Sequence, residues 1–231
     1  MAYRIDFLYH SGFIYENEDC VLIFDYYRDP EEIVKKRLEE TKKPVYFFVS
    51  HVHGDHFNPA IAAFEEKAAG YIMHRDCRIF LREMNKSHLM DVGESLSLGD
   101  LQVKMYGSTD EGGSYLVTGR ELSVFHAGDL NWWHWAGEAT FENLAAGDAF
   151  MKELGKITER QMDVVFFPVD ARLQVAREWG VKAFLGRISC RLLVAMHAFG
   201  TPWLPSYEFR YLYPRQKLWI PKQAGDSFEG D

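Results

Sequence analysis

The sequence predicts an α/β (α+β) fold in which two β-sheets pack together with helices outside. Two observations lead there. Strand-like segments come as hairpins with short turns at Ser11-Gly12 and Gly119-Arg120, and also as continuous apolar runs such as Cys20–Phe24 and Val45–Val49 that feed helical stretches. The first kind makes antiparallel pairs, and the second suits strands covered on both faces. With no repeat, low-complexity tract or linker in 231 residues, the mixture reads as one layered domain, 1–231.

Taken in order, residues 3–9 and 12–15 read as two strands joined by a turn. The apolar run 20–24 stops at Asp25. Residues 30–40 open with Pro30 and two glutamates and close with Lys and Arg, the charge order of a helix. Pro44 introduces the strand Val45–Val49, which ends in a polar loop at Ser50–Asn58. Pro59 begins an Ala-rich helix to about Ala69, with Gly70 as its C-cap. Short strands follow around 71–74, 96–98 and 101–106, then a hairpin at 114–118 and 121–125. Segment 131–160 changes character: Trp132, Trp133 and Trp135 cluster ahead of helix-forming residues to Lys156. Strand signals return at Val164–Phe167 and Leu192–Met196, and Leu218–Pro221 reads as a last strand.

A composition of 47% hydrophobic and 26% charged residues is that of a globular chain able to bury a core. The net charge of −8 speaks against nucleic acid as the main partner, because phosphate backbones are bound through Lys and Arg. A small-molecule substrate is the expected partner, anionic ones included, since bound divalent cations would dominate the local field. Cys20, Cys77 and Cys190 are scattered and lack CxxC spacing, so neither a disulfide framework nor a thiolate zinc site is expected. The opening residues show no signal-peptide pattern, and no run of about 18 apolar residues occurs. A soluble, cytoplasmic protein without a membrane segment is expected; its oligomeric state is not legible.

The informative string is Ser50-His51-Val52-His53-Gly54-Asp55-His56. Three imidazoles and a carboxylate fall within six positions, directly behind a buried strand. These are the ligands that zinc and other borderline divalent ions take. Alternate residues of an extended segment face the same way, so His51, His53 and Asp55 converge while His56 enters from the next turn.

This pattern, His-x-His-x-Asp-His after an apolar strand, resembles the signature of the metallo-β-lactamase superfamily. The resemblance runs through nearly the whole chain: Asp25 at an early strand end, the 51–56 motif, Asp129 in His126-Ala127-Gly128-Asp129, His197 in Val194-Ala195-Met196-His197, and a mixed element order. The opening Tyr9-His10-Ser11-Gly12-Phe13 is similar to the branch that contains the ascorbate-6-phosphate lactonases. The resemblance implies a four-layer αββα sandwich of two mixed sheets, with 131–160 as a helical, aromatic insertion. It further implies two divalent ions, zinc first and manganese or iron as alternatives. His51 and His53 would hold one ion, Asp55, His56 and His197 the other, and Asp129 would bridge them. Asp25 would orient a ligand by a hydrogen bond, and a hydroxide between the ions would be the nucleophile, with Asp55 accepting its proton. The superfamily's third histidine for the first ion is missing from Gly107–Gly112. Asp110 can take its place as an oxygen ligand, or His126 or His134 can reach in.

Other candidates have structural readings of equal or lesser weight. Asp25 can be a turn residue that ends a strand. His10 points into the cleft or is a hydrogen-bonded structural histidine. Asp170 lines the rim or serves a turn, and His74 and His88 read as structural. The cluster Trp132-Trp133-His134-Trp135 either walls a pocket or anchors the following helix, with one ring expected at the cleft. The implied activity is a metal-dependent hydrolase acting on a small ester or lactone, or on a phosphorylated metabolite. The alternatives are a phosphodiesterase on small nucleotides and a degenerate metal-binding protein without activity.

Overall fold

Tyr3–Tyr9 (β1) and Gly12–Glu16 (β2) form the hairpin anticipated above, and Val21–Phe24 (β3) adds antiparallel to β2. Beyond β3 the pairing changes direction. Val45–Val49 (β4), Gly70–His74 (β5) and Ser87–Met90 (β6) run parallel to one another and to β3. The strand Ser227–Gly230 closes the other edge beside β1. The computed structural model describes residues 2–231, whose contacts fall into two compact units. This first seven-stranded sheet belongs to the unit made of Met1–Val92 with Pro221–Asp231.

The helix between β3 and β4, Ile33–Glu40 (α1), begins three residues later than the charge order suggested. Glu32 sits in the left-handed region at φ 52°. Asp29 instead caps the helix, its carboxylate accepting from the N–H groups of Ile33 and Val34 at 2.9 and 2.8 Å. Val34 and Leu38 of α1 join Val21, Ile23, Val45 and Phe47 in one buried cluster. The Ala-rich segment after Pro59 is not an α-helix to Ala69. It is a 3₁₀ turn over Pro59–Phe64, and Gly70 opens β5 rather than capping a helix. The Tyr71 hydroxyl donates to the Ile61 carbonyl at 3.0 Å, and Glu65 N–H bonds to Ala62 at 3.2 Å. The carbonyl that an α-helix would pair with residue 65 is therefore taken.

The second unit, Gly93–Ile220, holds the other sheet. Ser95–Leu98 (β7), Leu101–Gly107 (β8), Gly113–Gly119 (β9) and Leu122–His126 (β10) form an antiparallel meander. Thr140–Lys156 (α2) follows, filling most of segment 131–160. Gln161–Pro168 (β11) pairs parallel to β10, Trp179–Leu185 (α3) comes next, and Ser189–Met196 (β12) pairs parallel to β11. Tyr207–Leu212 (α4) precedes Lys217–Trp219 (β13), parallel to β12. Phe184 of α3 stacks on Phe125 at 5.6 Å and packs tilted on Phe167 at 5.0 Å, and Phe150 of α2 meets Phe167 edge-on at 6.5 Å.

The expected class therefore holds: two mixed sheets with helices packed on them. The apolar runs Val-Leu-Ile-Phe, Val-Tyr-Phe-Phe-Val and Leu-Leu-Val-Ala-Met all fall in strands with a parallel neighbour, as continuous apolar runs should. No helix among the described residues is long and apolar enough to cross a membrane.

Candidate functional site

Parallel strands leave their carboxyl ends open toward loops, and chemistry-bearing residues gather there in both units. In the first unit, β3 ends at Asp25 and β4 at Ser50-His51. In the second, β10 leads to Asp129, β11 to Asp170 and β12 to His197. Two of these side chains, Asp25 and His197, sit on strained backbone with φ of 43° and 53°, as does His10 in the β1–β2 turn at 57°. Left-handed conformations at residues other than glycine are uncommon and concentrate at functional sites.

In the first unit, Asp25 organises the motif. It is buried, and it accepts from Ser50 N–H at 2.8 Å, from Ser50 Oγ at 2.7 Å and from His56 Nδ1 at 2.8 Å. A carboxylate can only accept, so Nδ1 of His56 carries the proton and Nε2 presents a lone pair. The single Ser50 hydroxyl proton goes to Asp25. Its contact with His51 Nδ1 at 2.9 Å must then run from the ring N–H to the hydroxyl oxygen, which makes Nε2 the ligating atom of His51 as well. One buried carboxylate thus fixes the tautomers of two buried histidines. The rings of His51 and His56 are 4.1 Å apart, and His53 meets His51 at 4.7 Å.

Asp55 and His56 together with His10 offer ligand atoms within 4.8 Å of one another. His10 Nε2 lies 3.4 Å from Asp55 Oδ2. That contact with the imidazole holds the Asp55 carboxyl well below the usual carboxylate range, against the opposing pull of burial. Gly12 is what lets the 9–12 turn come so close. A Cβ there would stand 3.0 Å from the carbonyl oxygens of both Asp25 and Tyr9.

In the second unit, Asp129 is buried on a turn that begins at Gly128, where φ is 55°. Its Oδ1 lies 3.5 Å from His197 Nε2. His197 Nδ1 is 3.1 Å from Asp170 Oδ2. Asp170 is fully buried and also receives Arg172 Nε at 3.1 and 3.0 Å and Arg172 Nη2 at 2.6 Å. Burial pushes its carboxyl up, but the bonds from His197 and Arg172 outweigh that and bring it down to about 2. An ionised Asp170 fixes His197 as Asp25 fixes His56, with the proton on Nδ1 and Nε2 turned toward Asp129.

The remaining candidates fall in different places. Asp110 is exposed on the loop between β8 and β9. Its neighbour Thr109 accepts from Asn131 N–H at 3.0 Å and donates to Asn131 O at 2.6 Å, tying that loop to the Asp129 turn. His126 is buried, and its Nδ1 accepts from Gly128 N–H at 3.2 Å. His134 rests on Trp179 at 4.5 Å. Trp132 packs between Trp179 and Phe150, whereas Trp133 meets His197 edge-on at 5.6 Å and donates its indole N–H to the Asp129 carbonyl at 2.9 Å. Asp170 and Arg172 had no local signal beyond an Asp after an apolar run. Asp170 gains its importance by pairing across 27 residues with His197, and Arg172 joins through Asp170.

No family model matches the sequence. A UPF0173 metal-dependent hydrolase of Carboxydothermus hydrogenoformans is 28% identical over 140 residues, spanning 54% of this chain and 62% of that protein. The chain spans about three fifths of the length of the first such curated relatives. Igni18, a metallo hydrolase from Ignicoccus hospitalis, superposes with a TM-score of 0.65 at 13% identity, over 100% of this chain and 99% of that one. The metallo-β-lactamase fold protein YhfI of Bacillus subtilis gives 0.57 at 12% identity, over 99% of each chain. The chain has the metallo-β-lactamase fold, the fold of the superfamily its motifs resemble.

Proposed function

We propose that the chain is a metal-dependent hydrolase in which His51, His53, Asp55 and His56 of one unit and Asp129 and His197 of the other are ligands of divalent ions. One observation carries this reading. In each unit a buried carboxylate, Asp25 or Asp170, holds the Nδ1 of a buried histidine beyond a strand end at hydrogen-bond distance. Metal-binding histidines use that arrangement to present Nε2 in a fixed tautomer. The donor set of imidazole nitrogens and carboxylate oxygens suits zinc first, and manganese or iron next.

Divalent ions bound there supply an activated water and polarise the carbonyl or phosphoryl oxygen under attack. The protein's own contribution is orientation and proton handling. Asp25 and Ser50 hold His56 and His51, and Asp170 holds His197. Asp55 would accept the proton of the activated water, and His10 Nε2, 3.4 Å from its Oδ2, keeps the carboxylate ionised until then. Trp133 covers His197 and keeps water from that side.

The substrate is a small ester or lactone, or a phosphorylated metabolite. This rests on the lactonase-like opening segment and on the relatives' description as metal-dependent hydrolases. The test is turnover of aryl esters, lactones and cyclic nucleotide phosphodiesters before and after chelation. Hydrolysis of esters or lactones should vanish with chelator and return with added zinc, manganese or iron. Preference for the phosphodiesters moves the assignment to a nucleotide phosphodiesterase. Metal binding without turnover of any of them leaves a degenerate metal-binding protein.

A further inference from the structure

Arg172 lies beside the Asp170–His197 pair. Its side chain is 45% exposed, yet its position is fixed on three sides. Asp170 takes one edge of the guanidinium through Nε and Nη2. Phe199 lies across one face, 3.5 Å from the guanidinium carbon to the ring centroid, and the Trp135 ring is at 5.2 Å. Those rings are themselves held. Trp135 stacks on Trp133 at 5.7 Å, and Phe199 packs on His197 at 5.3 Å. Arg177 anchors the loop that carries Phe199 by donating to Val169 O at 2.8 Å and Thr201 O at 2.5 Å.

Of five guanidinium N–H donors, Asp170 uses the Nε proton and one on Nη2. The Nη1 group makes no hydrogen bond to the described residues. What remains is a rigid two-nitrogen fork, its flexibility already lost to packing, with its open edge outward. Such a fork matches the spacing of two oxygens on a carboxylate or phosphate. Its neighbourhood is set by one atom: Asp170 Oδ2 bonds both Arg172 Nη2 at 2.6 Å and His197 Nδ1 at 3.1 Å. Fork and imidazole are therefore registered to each other through one buried carboxylate.

We propose that Arg172 is the anion receptor of this protein, and that its substrate carries a carboxylate or phosphate group beside the bond that is hydrolysed. The inference deepens the hydrolase reading and rests on it for the position of the scissile bond next to Asp129 and His197. The aromatic rings flanking the fork add an apolar wall, so the substrate has an apolar body between its two ends.

Calorimetric titration of the metal-loaded protein with phenylphosphonate and, separately, benzoate tests the receptor without turnover. Wild type is expected to bind at least one of them, and Arg172→Met to bind it about tenfold or more weakly, the effect of removing a hydrogen bond to a charged group. Metal content is measured on both proteins. If Arg172→Met also loses metal, Arg172→Gln, whose amide still donates to Asp170, carries the same comparison. Equal affinity in wild type and variant, or no binding to wild type, overturns the proposal. Which probe binds tells a phosphate from a carboxylate receptor. Binding lost in the variant while no ester is turned over by wild type would uphold the receptor and remove the hydrolase. Turnover with unchanged affinity would do the reverse.

Discussion

Replacing Asp25 by alanine is expected to destabilise the protein by about 3–5 kcal/mol, the cost of removing one partner from a buried charged pair. The same change should weaken metal binding by about 10- to 100-fold, as loss of an outer hydrogen-bond partner does. Three buried donors lose their acceptor at once: Ser50 N–H, Ser50 Oγ and His56 Nδ1. Asp25→Asn separates the two effects. If its amide oxygen stays on Ser50 N–H, its NH₂ faces Ser50 Oγ and His56 Nδ1. His56 must then move its proton to Nε2. Ser50 must turn its hydroxyl proton toward His51 Nδ1, which pushes the proton of His51 to Nε2 too. One substitution, by turning an acceptor oxygen into an NH₂ donor, so removes two ligating lone pairs. The asparagine variant should therefore be less destabilised than the alanine variant but bind metal no better. Thermal unfolding and competition with a chromophoric chelator measure both. An asparagine variant with wild-type metal affinity would contradict the tautomer argument.

His51→Ala and Asp129→Ala should each abolish metal-dependent hydrolysis, by more than the roughly 100-fold that an outer partner costs. His51 is fully buried beside two other imidazoles at 4.1 and 4.7 Å, a grouping of the ligand type that borderline divalent ions take. Asp129 presents a buried carboxylate to His197 at 3.5 Å. Truncating either leaves the sheets intact, so metal-free variants should melt within a few degrees of metal-free wild type. Wild-type turnover in either variant, with metal restored, would contradict the ligand assignment.

The parts of this arrangement that were legible are local. The 51–56 motif announces itself because its ligands are consecutive, and the parallel strands do because burial on both faces makes them uninterrupted apolar runs. Ser87–Met90 and Ser227–Gly230 gave no such signal, being short edge strands with partly exposed, polar residues. The turn at Pro59–Phe64 misled because helix propensity is a weak prior, and a tyrosine ten residues on claims the Ile61 carbonyl. Asp170 reads as a rim or turn residue, but its pairing with His197 and Arg172 was illegible for a related reason. An aspartate after a strand is ordinary, and only the fold brings it to His197. Among the tryptophans, sequence gave the cluster but not which ring lies against the histidine. Trp132 fits over Gly147, where a Cβ would stand 2.9 Å from the indole, and Trp133 is left to meet His197.

The central claim is that these histidines and aspartates bind metal, and the most direct measurement is metal content by inductively coupled plasma mass spectrometry. Protein purified without affinity tag or chelator, alongside a His51→Ala/His197→Ala double variant, supplies the comparison. The account predicts close to two equivalents of zinc, manganese or iron per wild-type chain, as two-metal hydrolases carry, and a clear loss in the double variant. Wild-type protein holding no more metal than the double variant would contradict it.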